Sequence, residues 1–440
     1  MTDRPVRAGT TSALDTIAAC ATPWGHGAIA VVRVSGSDAL ARAEAVAGRL
    51  AEPRVSALRT FRDADGAFDS GLVTCFLAPN SYTGEDVVEL SGHGNPLLVE
   101  RLLRALGARA AAPGEFTRRA FLNGRMDLTR AEAVLQSIEA TSPAGLEVAR
   151  AGMDGAVAAR GAAIQAALTD IGAELEAILD YPGEDLLFAS DPEIAKRLSE
   201  TAAAARATAG SFRAGQFAVA GARVVLVGPV NAGKSSLFNA LLGRPRALVS
   251  STPGTTRDVI EATLQMDAVR VTLVDTAGDR DTTDEIEAAG VALGREAGRL
   301  ADLVIRCVPG HVAGGHPEVG AKEGLVVATH ADLPAANAVA LRVSSVTGAG
   351  IPALLNTITA RLVGEEPGGA GLLLASARQR DCFLAAASAA DDARIALVDA
   401  GPAAAVEHVY AGISALAGLS GTDVREGVLD RLFARFCVGK

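Results

Sequence analysis

The sequence predicts a multidomain fold of mixed α+β and α/β type: an N-terminal α/β domain, then a helical domain discontinuous in sequence, with a second α/β domain inserted into it. Three observations carry this prediction. At ~150 residues per domain, 440 residues make about three domains. The texture changes twice, to long helical segments near Leu128 and to alternating strand and helix at Ala222. After Gly364-Glu365-Glu366-Pro367-Gly368-Gly369, a linker by composition, the chain returns to helix, so helical sequence flanks the alternating segment on both sides.

Composition narrows the function. Apolar residues are 49% of the chain and aromatics only 4%, so the cores are aliphatic and alanine-rich. Charged residues, at 21%, are too few and too mixed with apolar ones for a disordered polymer. The net charge of 41 − 51 = −10 argues against a non-specific nucleic-acid coat, and leaves open RNA held by a local patch or a partner subunit. The five cysteines stand singly, without a C-x-x-C pair, and read as free thiols in a reducing compartment. The histidines show no metal-ligand spacing. No apolar run reaches the ~18 residues of a membrane span, and Met1–Ser12 lacks the apolar core of a secretory signal. The expectation is a cytoplasmic protein that does not enter a membrane.

The elements follow in order. Ala28–Val34 is a short apolar run between glycines and predicts a strand; Val87–Leu90 predicts another. Pro96 to Leu106 reads as a helix that starts at a proline. Ile164, Leu168, Ile171, Leu175 and Ile178 form one apolar stripe on a helix that stops at Tyr181-Pro182-Gly183. Val224–Val227, Arg270–Val274, Leu303–Cys307 and Leu325–Ala328 are short buried-type strands with helical stretches between them, the pattern of a parallel sheet. Val424, Val428, Leu429, Leu432, Phe433 and Phe436 mark one face of a last helix.

The strongest chemical signal lies in the inserted segment. Gly228-Pro229-Val230-Asn231-Ala232-Gly233-Lys234-Ser235 fits G-x-x-x-x-G-K-S, directly after a strand and before the helix Ser236–Leu242. The glycines let the backbone curl so that its N–H groups point at phosphate oxygens, and the helix N-terminus adds its positive dipole end. Lys234 then reaches the β- and γ-phosphates while the Ser235 hydroxyl ligates Mg²⁺. Asp275-Thr276-Ala277-Gly278 follows a strand, where a carboxylate can hold Mg²⁺ through water and the Gly278 N–H can sense the γ-phosphate. Between them, Gly254-Thr255-Thr256-Arg257-Asp258 offers a threonine, Thr256, to the Mg²⁺. In this order the strings resemble the translation-factor-like GTPases.

The base-recognition strings depart from that pattern. Where Asn-Lys-x-Asp is usual, this chain has Thr329-His330-Ala331-Asp332. Asp332 keeps the carboxylate that accepts from two adjacent guanine N–H groups, a pair that adenine does not offer. His330 replaces the lysine that packs on the base. Ser344-Ser345-Val346 resembles the last nucleotide motif, with Ser345 in place of alanine. Guanine is the base expected.

Four further strings resemble one family, the MnmE (TrmE) tRNA modification GTPases, over nearly the whole chain from Asp15 to Lys440. They are Asp15-Thr16-Ile17 through Arg33-Val34-Ser35-Gly36, Tyr82-Thr83-Gly84-Glu85-Asp86 through Gly92-His93-Gly94, Pro113-Gly114-Glu115-Phe116-Thr117 through Asn123-Gly124-Arg125-Met126-Asp127-Leu128, and Phe436-Cys437-Val438-Gly439-Lys440. The resemblance implies a folate-binding-like α/β domain at 1–124 that also forms the homodimer, helical parts at 125–218 and 368–440, and a Ras-like P-loop GTPase domain at 219–367. It implies 5-formyl- or 5,10-methylene-tetrahydrofolate held by Arg33, Glu89, Arg125 and Lys440. It implies a flavin-dependent partner, MnmG, in a heterotetramer that modifies carbon 5 of the wobble uridine in certain tRNAs. Read from the residues alone, Arg33 and Glu89 are an ion pair or solvated strand ends. Cys437 reads as well as a small apolar residue at a helix end as a group placed for chemistry.

The resemblance also assigns GTP and GDP contacts to Asn231, Ala232, Gly233, Lys234, Ser235, Ser236, Ser250, Ser251, Thr252, Pro253, Gly254, Thr255 and Thr256, and to Asp275, Thr276, Ala277 and Gly278. Lys234 and Asp275 count among the catalytic groups. Asp279 stands where many small GTPases carry a glutamine, and the resemblance implies that Glu287 orients or deprotonates the attacking water instead. K⁺ takes the place of an arginine finger, ligated by Asn231 with Ser250, Thr252 and Thr255 when two GTPase domains meet. Three rivals stand beside this reading, one of them a non-hydrolysing scaffold suggested by the altered base motif and Asp279. A ribosome-assembly GTPase predicts a lysine-rich RNA-binding appendage, and a folate-dependent one-carbon transferase predicts transfer without GTP turnover.

Overall fold

The computed structural model describes residues 15–180, 189–229, 231–243, 260–275, 301–312, 324–335, 339–364, 372–421 and 426–440. The chain divides into two compact units: Met1–Leu135, Gly161–Gly172 and Glu407–Lys440 form one, and Gln136–Arg160 with Ala173–Val406 form the other.

In the first unit, β1 (Ile17–Cys20), β2 (Gly27–Ser35), β3 (Ala57–Asp63), β4 (Gly66–Phe76), β5 (Val87–Gly94) and β6 (Arg109–Ala110) make one sheet in the order β3-β4-β5-β2-β1-β6. Every pairing is antiparallel except β1 with β6. Helices α1 (Ala39–Ala47) and α2 (Pro96–Leu106) supply Ala43, Val46, Val99, Leu102 and Leu106 to a core that also takes Val32, Val34, Val73, Val88 and Leu90 from the strands. Helix α2 has the bounds read from its sequence, and its caps explain why. Asn95 Oδ1 accepts from the Leu97 N–H at 2.9 Å, Pro96 sits in the first turn, and Gly107 closes the end in the left-handed conformation. The alternating residues of β2 and β5 point to the opposite face, where the register sets Arg33 beside Glu89.

Helix α3 (Glu115–Leu122) follows, and near it Leu429 and Phe433 of the last helix, Glu426–Phe433, and Phe436 just beyond it pack against Leu128, Ala131 and Leu135. The predicted face is therefore buried at those three positions, while Val428 is 40% exposed and Val424 lies outside the described residues. The stripe from Ile164 to Ile178 rides on the helix Ala156–Asp180, with Ile164, Leu168, Ile171 and Leu175 buried.

In the second unit, β7 (Ala222–Val227), β8 (Ile260–Gln265), β9 (Arg270–Asp275), β10 (Leu303–Pro309) and β11 (Leu325–Thr329) form a sheet in the order β11-β10-β7-β9-β8. The predicted parallel arrangement holds for β7, β9, β10 and β11. The exception is β8, which the apolar runs did not reveal and which joins the edge antiparallel to β9. The helices Lys234–Leu242 and Ile351–Val363 bury Leu237, Phe238, Leu241, Leu354 and Ile358 against this sheet. The helices Asp191–Gly210 and Ala377–Ala400 pack together through small side chains, among them Ala202, Ala205, Ala386, Ala390 and Ala393, which let two backbones approach closely. None of the described helices is long and apolar enough to cross a membrane.

Candidate functional site

The phosphate-binding loop is built where the sequence predicts it. Strand β7 ends at Val227, and the chain turns through Asn231 and Gly233, both left-handed at φ 60° and 75°, into the helix that begins at Lys234. Gly233 must bend this way where it has almost no room. A Cβ there would lie 3.2 Å from the His330 ring and 3.3 Å from Thr329 Cβ. The helix has no side-chain cap, so the N–H groups of its first turn are left for an anion.

Lys234 is buried at 7% exposure and lies back on its own loop, its Nζ donating to the carbonyls of Gly228 at 2.9 Å and Pro229 at 2.8 Å. Burial lowers its pKa, and the nearby Asp275 carboxylate opposes that shift. Asp275 is itself buried, at the end of β9 and paired in register with Leu226 of β7. Ser235 and Ser236 are exposed in the first helical turn, as Asn231 is before it. Ala232 is buried beneath the loop. A buried cation, a strand-end carboxylate and an exposed hydroxyl beside an uncapped helix form a donor set that fits a phosphate chain with its Mg²⁺. The Cys307 thiol beneath them is pushed up to about 12 by burial, with Lys234 opposing and Asp275 adding, so it plays the part of a small core residue.

The base-recognition residues converge on the same edge. Asp332 is exposed and accepts from Ser344 Oγ at 2.6 Å, and that bond chiefly holds its carboxyl below the ordinary range. Ser344 Oγ in turn accepts from the N–H groups of Val346 and Thr347 at 3.3 and 3.2 Å. The Ala331 N–H is fixed on Val343 O at 3.0 Å. Ser345 is half-buried, and Val346 is exposed at 86%. Thr329 is buried, and its hydroxyl bonds Ala232 O at 2.8 Å and Val308 O at 3.1 Å, joining the phosphate loop to the base loop. In the sequence, Thr329 stands out only as a replacement for asparagine. His311, which no sequence motif marks, brings its ring to that of His330 in a T-shaped arrangement at 5.0 Å. Ser250 through Thr256, Thr276, Ala277, Gly278 and Glu287 lie outside the described residues.

A second constellation stands in the first unit. Arg33 donates from Nε and Nη2 to Glu89 Oε1 at 3.0 and 2.8 Å, and its guanidinium lies over the rings of Tyr82 and Phe116 at 5.2 and 5.6 Å. The ion pair read from the residues is thus present. The chain's last residues come to the same place: Arg33 Nη1 approaches Gly439 O at 3.5 Å, and the Phe116 N–H donates to Lys440 O at 3.2 Å. A Cβ on Gly439, at φ 97°, would meet Cys20 O at 2.4 Å, so the tail closes against β1 only with glycine there. Arg125 is exposed, its stem beside Gly84 in the loop that carries Tyr82. Arg33, Glu89 and the tail therefore meet, with Arg125 on the neighbouring loop. Cys437 is exposed.

Under these residues runs a charged network in the same unit. Arg119, at 1% exposure, donates to Asp15 O at 2.9 Å, to Glu85 Oε2 at 3.1 Å and to Glu115 Oε1 at 2.9 Å. Ser35 Oγ donates to Glu85 Oε2 at 2.7 Å. The strings around Asp15, Glu85 and Glu115 carried the resemblance, and the structure gives them a shared cation.

A strand, a glycine-bent phosphate loop and an uncapped helix, with Asp275 at the neighbouring strand end, define a P-loop nucleotide-binding protein of the GTPase class. A family model described as "GTP-binding protein TrmE N-terminus" matches residues 16–125, and one described as "MnmE helical domain" matches 128–437. The chain is 41% identical over 449 residues to the tRNA modification GTPase MnmE of Myxococcus xanthus, covering 98% of this chain and 100% of that protein. With a tRNA modification GTPase MnmE of Thermus thermophilus the identity is 41% over 442 residues, 97% of this chain and 99% of the relative. The solved G domain of T. maritima FeoB aligns with 32% of this chain and 98% of its own, at 26% identity and a TM-score of 0.23. The chain belongs to the MnmE (TrmE) family of tRNA modification GTPases, and it is a GTP-hydrolysing enzyme.

Proposed function

We propose that this GTPase modifies carbon 5 of the wobble uridine in certain tRNAs, together with a flavin-dependent subunit of the MnmG type in a heterotetramer. The observation that carries the hydrolytic part is the uncapped helix N-terminus with Lys234 and Asp275 beside it. In this reading residues 219–367 form the GTPase domain, 1–124 the folate domain, and 125–218 with 368–440 the helical domain. Nucleotide contacts come from the loop Asn231–Ser236, from Asp275, from Thr329–Asp332 and from Ser344–Val346. Ser235 and Thr256 hold Mg²⁺. K⁺ sits at Asn231, Ser250, Thr252 and Thr255, and Glu287 activates water.

The tetrahydrofolate derivative supplies the one-carbon unit when bound. Arg33, Glu89, Arg125 and Lys440 fit its two ends by chemistry: a carboxylate suits the paired N–H donors of a pterin, and cations suit its glutamate tail. The rings of Tyr82 and Phe116 add flat apolar surface beside them. Homodimerisation of this domain is supported by an open stretch on β3 and β4, where the facing pair Leu58 and Leu72 stands 70% and 49% exposed.

Two measurements test the reading. Deleting the protein will remove the carbon-5 modification from tRNA wobble nucleosides, and an unchanged nucleoside profile would defeat the main assignment. GTP hydrolysis will be at least tenfold faster in K⁺ than in Na⁺, on the scale of ~10²–10³ for one electrostatic stabiliser. Asn231→Ala will abolish that difference, and equal rates of the wild-type protein in both salts would rule K⁺ out.

A further inference from the structure

His311 has no role in any reading above. It stands just past β10, and its ring meets that of His330 edge to face, with centroids 5.0 Å apart and planes at 86°. We infer that His311 is a positioning residue for guanine binding: it holds His330 as the platform on which the base packs, the part a lysine stem plays where Asn-Lys-x-Asp is intact. The inference rests on the GTPase reading of this site and names a residue that reading leaves out.

The geometry constrains His330 from several sides. Its backbone is left-handed at φ 56°, a conformation that few non-glycine residues hold without support. Its Nδ1 lies 3.0 Å from Thr329 Oγ1. The Thr329 hydroxyl has a single proton and two carbonyl oxygens within reach, Ala232 O and Val308 O, so that proton goes to a carbonyl. The His330 ring is then the donor in its bond to Thr329, which fixes a tautomer with the proton on Nδ1. The neighbouring Cε1 of the ring lies along the phosphate loop, 3.2 Å from where a Cβ on Gly233 would stand, and the His311 ring meets the His330 ring at a right angle. Both imidazoles also act on Asp332, each helping to lower its carboxyl, so the two rings and the guanine-reading carboxylate share one small region.

A lysine lies on a base by virtue of its long stem. An imidazole is shorter and needs its plane set. A single hydrogen bond to Thr329 holds the ring at one nitrogen, and the perpendicular His311 ring packed against it opposes the side-chain torsions that would break that bond. Pre-setting the plane before the base arrives spares the ordering loss on binding.

The test is a double-mutant cycle read by fluorescent GDP titration of the full-length protein. His311→Ala will weaken GDP binding about three- to tenfold, the range of an aromatic pair. It will raise KM for GTP without lowering kcat. His311→Phe, which keeps the edge-to-face ring, will restore affinity to within about twofold. In the His330→Asn background, where asparagine tolerates the left-handed backbone, adding His311→Ala will bring no further loss. Wild-type affinity in His311→Ala, or losses at 311 and 330 that simply add, would overturn the inference alone. Failure of the wild-type protein to bind GDP would overturn the GTPase reading and this inference with it.

Discussion

Lys234→Ala will lower kcat/KM for GTP by about a thousandfold, at the upper end of what one electrostatic stabiliser supplies in a dry site. The size follows from where the ammonium sits. It is buried at 7% exposure, held on two carbonyl oxygens of its own loop, and faces one carboxylate. A phosphate chain at the uncapped helix brings negative charge to this buried cation, where screening by water is weak. Loop carbonyls already give the ammonium a place, so the loop is shaped before nucleotide arrives. Lys234→Arg will not rescue, because a planar fork does not replace a compact charge in a pocket closed by Gly228 and Pro229. Phosphate release under single-turnover conditions is the measurement, and a rate within tenfold of wild type would remove Lys234 from the catalytic groups.

The phosphate loop was legible because its spacing is fixed by the ligand and its context is local: strand, turn and helix follow within a few residues. Helix α2 was legible for a similar reason, since its caps and its apolar stripe lie inside one short segment. Strands β3 and β4 were not. Strand β3 mixes Arg59, Thr60 and Arg62 with its apolar residues, and outward positions of β3 and β4 such as Leu58 and Leu72 are exposed, so neither strand carries a clean apolar signal. β8 was missed because an edge strand whose first residue, Ile260, is exposed does not read as a buried run. Within the sites, the missing parts are all long-range. Thr329 acts on Ala232, 97 positions away, and no periodicity announces such a bond. The Arg33–Glu89 pair spans 56 positions and became determinate only when the β2–β5 register was known. His311 pairs with His330 across the end of a sheet, and nothing in its neighbourhood of sequence marks it.

Arg119→Met will destabilise the first unit by about 3–5 kcal/mol, the cost of removing one partner from a buried ionic cluster. The arginine is 1% exposed and is the cation on which Glu85, Glu115 and the Asp15 main chain converge. Methionine fills much of the same volume, so the loss reports charge and hydrogen bonds more than a cavity. Arg119→Lys keeps the charge without the fork that spans two carboxylates and will recover only part of the loss. Acid will produce a related effect in the wild type. The Asp15 carboxyl is held below its ordinary range, chiefly by Arg109. Glu115 is too: burial alone would raise it, but Arg109, the Ala112 N–H and Arg119 outweigh that. Groups with lowered values stabilise fully above the ordinary carboxylate range and lose that contribution as pH falls through their folded values, so it fades below about pH 4. Without Arg119 those values rise, and acid unfolding will begin at higher pH. Hydrogen exchange at β1 and around Thr83–Glu89, followed against denaturant and pH, measures both. Protection equal to wild type in Arg119→Met would show that the network contributes nothing to holding β1, the Tyr82 loop and α3 together, and with them the cradle of Arg33 and Glu89.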